Sequence, residues 1–308
     1  MSTIGIEVGA APRRQQADAL RLVFGHLEEP ARSNTVASAL AAAGQEAAPL
    51  AGLLLARQHD RVVGATWLQV LAGGAAVLWP PGTVPETPPE AARLLVEAAI
   101  VFARQQRATL VQAVLPRDVD SAPPSLLDAG FTHLADLRYM ISTQESFPAE
   151  RPETPLLFEP YADQNHPRLE AVLQATYRDT LDCPRISGLR SAQHVLAGYK
   201  ATGSWDPGRW QLVRFEGDDV GCLLLTDHPA DEYWELVYMG LMPSARGHGW
   251  GSDVVRHAQW MCCQAGRQRL VLAVDAANDP ARGMYDRAGF WTWDERRIYL
   301  LSLPSESI

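Results

Sequence analysis

Apolar positions along the chain follow two periods. Short runs with strand character stand at 61–64, 75–79, 109–115 and 138–141. They stand again at 219–221, 234–242, 269–275 and 298–301. From 89 to 106, and again from 252 to 265, apolar residues return every three or four positions, as on one face of a helix. In the second helix these are Val254, Val255, Ala258, Met261, Cys262 and Ala265. Strands alternating with helices predict an α/β (α+β) fold.

The order of elements occurs twice. Val63-Gly64 and Val220-Gly221 lie 157 positions apart, and Ala129-Gly130-Phe131 and Ala288-Gly289-Phe290 lie 159 apart. A near-constant offset across several elements marks an internal duplication. Between the copies, 146–160 contains Pro148, Pro152, Pro155 and Pro160. Proline removes backbone donors and restricts its predecessor, so this stretch reads as an extended linker. The expected division is a domain at 1–145, a linker at 146–160 and a second domain at 161–308.

At 308 residues, 47% hydrophobic and 20% charged, the composition is that of a folded chain. A net charge of −9 disfavours nucleic acid and anionic membrane surfaces as partners. No apolar run approaches bilayer length, and the first 14 residues lack an export signal's pattern. Cys183, Cys222, Cys262 and Cys263 show no zinc-type spacing, so a cytoplasmic protein without a metal is expected.

The segment Arg246-Gly247-His248-Gly249-Trp250-Gly251-Ser252 separates the 234–242 strand from the helix that follows. Glycines let a backbone turn its N–H groups toward a ligand, and a helix N-terminus adds unpaired donors and partial positive charge. Such a turn either merely joins strand to helix or cradles a pyrophosphate. A dinucleotide fingerprint requires GxGxxG, whereas the spacing here is GxGxG behind an arginine.

Arg246-x-x-Gly249-x-Gly251, behind Leu241-Met242-Pro243, resembles the signature loop of the GNAT N-acetyltransferases. The resemblance covers roughly 155–303 and extends the fold expectation to two tandem GNAT-like domains, each a mixed, mostly antiparallel sheet flanked by helices. It implies acetyl-CoA as cosubstrate, held by Arg246, Gly247, His248, Gly249, Trp250, Gly251 and Ser252. Backbone groups of Leu241 and Met242 would meet its pantetheine arm. Asn278 would face the same arm, although its place before Asp279-Pro280 also suits a helix cap. Glu235 matches the family's general base, and Tyr285 the tyrosine that protonates the departing thiolate. The implied reaction is direct acetyl transfer to a primary amine of a small molecule or peptide in a ternary complex. The acceptor site is expected to draw on 177–199, where Asp179 and Asp182 are candidates to hold a cationic amine.

The first copy departs from the pattern. After Trp79 it reads Pro80-Pro81-Gly82-Thr83-Val84-Pro85-Glu86-Thr87-Pro88-Pro89-Glu90, without the arginine and with few N–H donors. No tyrosine precedes Asp128-Ala129-Gly130 where Tyr285 stands in the second copy. No CoA site is expected there. A two-copy layout with an active second half is similar to that of mycothiol synthases, as are Glu235-Leu236-Val237-Tyr238-Met239-Gly240-Leu241-Met242-Pro243 and Gly203-Ser204-Trp205-Asp206-Pro207-Gly208. A noncatalytic acyl-CoA sensor or scaffold, or a mycothiol-synthase-like activity, is the alternative.

Overall fold

The computed structural model describes residues 5–45, 50–118, 121–186 and 188–303. The first copy supplies β1 (Ile6–Ala10), α1 (Gln16–Val23), α2 (Ala31–Gln45), β2 (Leu53–Gln58), β3 (Arg61–Leu71), β4 (Ala75–Thr83), α3 (Pro89–Gln105), β5 (Leu110–Pro116), α4 (Pro124–Asp128) and β6 (Thr132–Thr143). The second supplies β7 (Leu157–Pro160), α5 (His166–Thr176), α6 (Ala192–Lys200), β8 (Trp210–Phe215), β9 (Asp218–His228), β10 (Tyr233–Leu241), α7 (Trp250–Gln264), β11 (Arg269–Asp275), α8 (Asp279–Arg287) and β12 (Trp291–Ser302).

The compact units differ from the sequence halves. One comprises Met1–His133 with Ile298–Ile308, the other Leu134–Arg297. In the first unit Leu303 N–H donates to Thr109 O (2.8 Å), and Tyr299 and Leu303 join the core beneath α3. In the second unit β6 pairs antiparallel with β11 from Leu137↔Asp275 to Thr143↔Arg269. Each half therefore lends the end of its chain to the other unit's sheet. Long-range pairing of this kind leaves no mark in local composition, so the proline stretch does not reveal it. Nor is that stretch all linker: β7 pairs with β8, and Phe147 and Leu156 are core residues of the second unit.

Both units are helix–sheet–helix layers. In the first, Leu95, Val96, Ala99 and Ala103 of α3 pack on Leu68, Leu78, Val111 and Ala113. Leu20, Val23 and Phe24, from α1 and its end, pack on Leu53, Leu55 and Trp67 on the other face. In the second, Val254, Val255, Ala258 and Cys262 of α7 meet Leu223, Leu225, Leu236, Leu270 and Leu272. On the opposite face Leu169, Val172 and Leu173 of α5, with Val195 and Leu196 of α6, meet Trp210, Leu212, Cys222 and Leu224. Each large aliphatic side chain buried this way contributes about 1.5–3 kcal/mol, so the two helical faces fix which side of every strand is which.

Candidate functional site

In the second unit β10 runs antiparallel to β9 with one extra residue, Val237, between the pairs Leu236↔Leu225 and Tyr238↔Leu224. Its parallel pairing with β11 comprises Trp234↔Leu270 and Glu235↔Val271. Beyond Glu235 the two strands part while β11 continues against β6. A strand turns its backbone groups to alternate sides. Met242 N–H donates to Val220 O of β9 (2.9 Å), so Met239 and Leu241 turn theirs toward the opening. The expected Met242 contact is thus engaged with β9, and Leu241 O accepts Arg246 Nε–H at 3.1 Å.

The loop at the mouth of this opening has three glycines with two different reasons. Gly247 and Gly249 have φ of 83° and 82°, while a Cβ at either would meet nothing within 4 Å. Their need is torsional, and the space above them is open. Gly251 is the reverse: a Cβ there would lie 2.7 Å from Met284 Sδ, so this glycine lets α7 sit close against α8. Among the described residues the N–H groups of Gly247, His248 and Gly249 donate to no backbone carbonyl in this turn, whereas Ser252 N–H donates to Gly249 O (3.0 Å). The first turn of α7 adds its own unpaired donors. His248 stacks on Trp250 (4.6 Å), its Nδ1 lies 3.0 Å from Arg246 O, and Trp250 packs on Phe215.

Arg246 does something the loop motif does not foretell. Its guanidinium donates to Thr176 O (2.9 Å), Arg178 O (2.8 Å) and Asp179 O (3.0 Å) as well as to Leu241 O. It closes the C-terminal end of α5, where unpaired carbonyls favour a cation.

The sheet face beneath α5 and α6 carries the polar chemistry. Glu235 Oε2 lies 2.8 Å from His228 Nε2, and the side chains are 30% and 20% exposed. His228 stacks on Tyr233 (4.5 Å). Burial raises the Tyr139 phenol, and it pushes Tyr233 to about 12; in both the Glu235 charge adds to the rise. Further along β10, Tyr238 packs against Tyr177 (5.6 Å) and Tyr199 (5.8 Å) and shares a 2.7 Å hydrogen bond with Thr176. Burial keeps these three phenols neutral, pushing Tyr177 to about 12.

Tyr285 lies on α8, buried, and burial holds its phenol well above the usual range, with the Asp182 charge acting in the same direction. A phenol so raised stays protonated and can donate. Asp182 Oδ1 accepts Asp275 N–H (2.9 Å), while Asp275 Oδ2 accepts Cys183 N–H (3.2 Å) and its Oδ1 accepts Ala277 N–H (2.9 Å). This reciprocal bracket pins the segment after α5 to the end of β11. Asp182 is exposed as a residue, while burial around its carboxyl, with the Asp275 charge, raises it. Asp179 is exposed at φ 52°. Asn278 caps α8, its Oδ1 accepting Ala281 N–H at 3.3 Å.

The fold therefore gathers the loop, the opened strand pair and Tyr285 in one unit, with Glu235 on the α5/α6 face. Sequence reasoning missed His228, whose link to Glu235 needs the β9–β10 register. It also missed Tyr139, which reaches this face only because β6 joins this sheet. Among the described residues no cluster of His, Cys, Asp and Glu could hold a metal, and no helix is long and apolar enough to cross a membrane.

Residues 173–290 match the acetyltransferase (GNAT) family. A mycothiol acetyltransferase of Corynebacterium efficiens is 33% identical over 125 residues, 36% of this chain and 42% of that protein. The match thus spans less than half of that relative's length. A GCN5-related N-acetyltransferase from Sphaerobacter thermophilus shares the fold over 98% of both chains, with a TM-score of 0.66 and 17% identity. A tandem GNAT protein from the clavulanic acid biosynthesis pathway matches 98% of this chain and 100% of its own, with a TM-score of 0.54 and 15% identity.

Proposed function

From the premise that residues 173–290 are an acetyltransferase domain of the GNAT family, we propose that this chain transfers acetyl from acetyl-CoA directly to a primary amine of a small molecule or peptide. The observation that carries this reading is the loop 246–252, its positive-φ glycines and free N–H groups set at the mouth of the β10–β11 opening.

The residues fit that cosubstrate. Gly247, His248, Gly249 and the first turn of α7, through Trp250, Gly251 and Ser252, present donors to a pyrophosphate. The Leu241 and Met239 N–H groups face the opening, where one of them can stabilise negative charge on a thioester oxygen. Acetyl-CoA supplies the activated acyl group. The chain does the rest: the face around Glu235 takes the proton that an ammonium must lose before its nitrogen can attack, and Tyr285 returns a proton to the leaving sulfur. Arg246 acts through the backbone it holds rather than on phosphate, and Asn278 contributes as the cap that starts α8. Asp182 is read as the residue that attracts a cationic acceptor.

The first copy is read as a support that binds no CoA, the acidic chain as one without nucleic-acid partners, and its four free cysteines as suited to a cytoplasm. Similarity to a mycothiol acetyltransferase favours the amine precursor of mycothiol as a second, narrower reading of the acceptor.

The test is thiol release from acetyl-CoA by the full-length chain across a panel of primary amines, that precursor included. Amine-dependent release, lost in Glu235→Gln, supports the reading. Acetyl-CoA binding without release for any amine would make the protein an acyl-CoA sensor or scaffold instead.

A further inference from the structure

The pairing of Glu235 with His228 has chemical consequences beyond the strand motif. An ionised carboxylate can only accept hydrogen bonds, so with Glu235 ionised the 2.8 Å contact is made by Nε2–H, and in the neutral imidazole Nδ1 keeps its lone pair. Nδ1 has no hydrogen-bond partner among the described residues, and the His228 side chain keeps 20% of its surface exposed. Alternation along β9 sets His228 with Cys222 and Leu224, on the α5/α6 face that Glu235, opposite Thr226, also occupies. The imidazole is held on two sides, by the carboxylate and by the Tyr233 ring stacked at 4.5 Å and 19°.

We propose that Glu235 and His228 work as one unit, in which Nδ1 of His228 accepts the acceptor's proton and Glu235 is the positioning residue behind it. This deepens the acetyltransferase reading and rests on it. A carboxylate facing the amine alone would be a weak base near neutral pH, whereas an imidazole oriented by a carboxylate has an affinity matched to that range. The ammonium nitrogen gives one proton to Nδ1, and the freed lone pair forms the C–N bond as the C–S bond breaks. The nitrogen then loses a second proton by the same route. Both leave Nδ1 for solvent, and Tyr285 regains from solvent the proton it gives to the sulfur, so the net release is one proton.

The charged and titratable groups around the pair leave this arrangement intact. Tyr233 and Tyr139 are raised phenols that stay neutral. Asp227, one residue before His228, is held by Arg267 through two 2.9 Å hydrogen bonds and sits on the opposite face. Asp231 and Arg269 meet each other through the Asp231 carbonyl.

Two measurements on the full-length protein test the proposal. In nitrogen-15 NMR the neutral imidazole of His228 should appear as the Nε2–H tautomer. With acetyl-CoA and the amine turned over fastest in the panel, His228→Asn should lower kcat/KM by about 10²-fold or more and displace the acid limb of the pH profile. The loss in Glu235→Gln/His228→Asn should be close to that of either single variant, as for residues acting as a unit. Unchanged acetyl-CoA affinity in each variant establishes that the fold is intact. The proposal is overturned if His228→Asn keeps kcat/KM within about threefold with the acid limb in place, or if the neutral imidazole of His228 is the Nδ1–H tautomer. If no amine is turned over, the acetyltransferase reading fails, while the NMR result still decides whether the pair exists.

Discussion

The two copies share a strand–turn–helix and differ in the turn. In both units the strand before the turn carries an irregularity, at Val237 in β10 and between the Trp67↔Trp79 and Ala65↔Gly82 pairs in β4. In both it parts from its parallel neighbour after a short run, which ends at Glu235↔Val271 in one and Leu78↔Ala113 in the other. A glycine near the strand's end lies against the first helix of each copy. A Cβ on Gly82 would sit 1.8 Å from Leu22 O, and one on Gly240 would sit 2.8 Å from Thr176 Cβ. The strand–turn–helix framework is thus present twice.

The turns themselves have diverged. Leu241 and Trp250 are separated by eight residues, Thr83 and Pro89 by five. The shorter turn closes on itself: Val84 N–H donates to Val63 O, Thr87 N–H to Val84 O, and Thr87 Oγ1 to both carbonyls. Pro88 and Pro89 remove donors at the start of α3, whose first turn carries the acidic Glu90, paired with Arg93. Val77 occupies the strand position of Glu235, and Leu126, fully buried, that of Tyr285. Fold and chemistry are separable here: packing needs the glycines under the helix, while anion binding needs free N–H groups above it.

The largest effects are expected at Glu235 and Gly249. Glu235→Gln should lower kcat by about 10²–10⁴-fold with acetyl-CoA affinity unchanged, measured by thiol release and calorimetry. Gly249→Val places a β-branched residue at φ 82°, a strain of about 1–3 kcal/mol, and fills the open space above the loop. It should weaken acetyl-CoA binding by about 10²-fold, whereas Glu86→Val, at φ 65° in the first copy, should not change it.

Buried pH response should also divide the copies. His257, beneath Phe158 and bonded to Gln211, is pushed down to about 4 by burial, while α3 carries Ala98 at that place. The folded form resists a proton that the unfolded chain accepts from about pH 6.5 downward, so stability should fall between there and pH 4. Denaturant titrations at pH 7 and pH 5 should register this loss, and His257→Phe should flatten it. Smallest is the framework glycine. Gly82→Ala should cost about 1–3 kcal/mol of stability by overpacking against Leu22 and leave acetyl-CoA affinity unaltered.

Parts of this were legible in the sequence for physical reasons. Gly247 and Gly249 announce themselves because few other residues take their torsions, and β11 is bounded as its apolar run predicts, at Arg269–Asp275. The β4 strand runs past the expected turn at Pro80 to Thr83, because beyond Leu78 it no longer needs donors for β5. What sequence did not disclose is long-range. The direction of the Arg246 side chain, the Asp182–Asp275 bracket and the placement of β6 and β12 all join residues far apart in the chain. His228 and Glu235 are only seven positions apart, yet their pairing depends on the register of a hairpin and not on any spacing rule.

The central claim is that one copy binds and the other supports. Calorimetric titration of the full-length chain with acetyl-CoA tests it most directly. One site per chain is expected, with its affinity lowered about 10²-fold by Gly249→Val. Two sites, or a single site whose affinity Gly249→Val leaves unchanged, would contradict it.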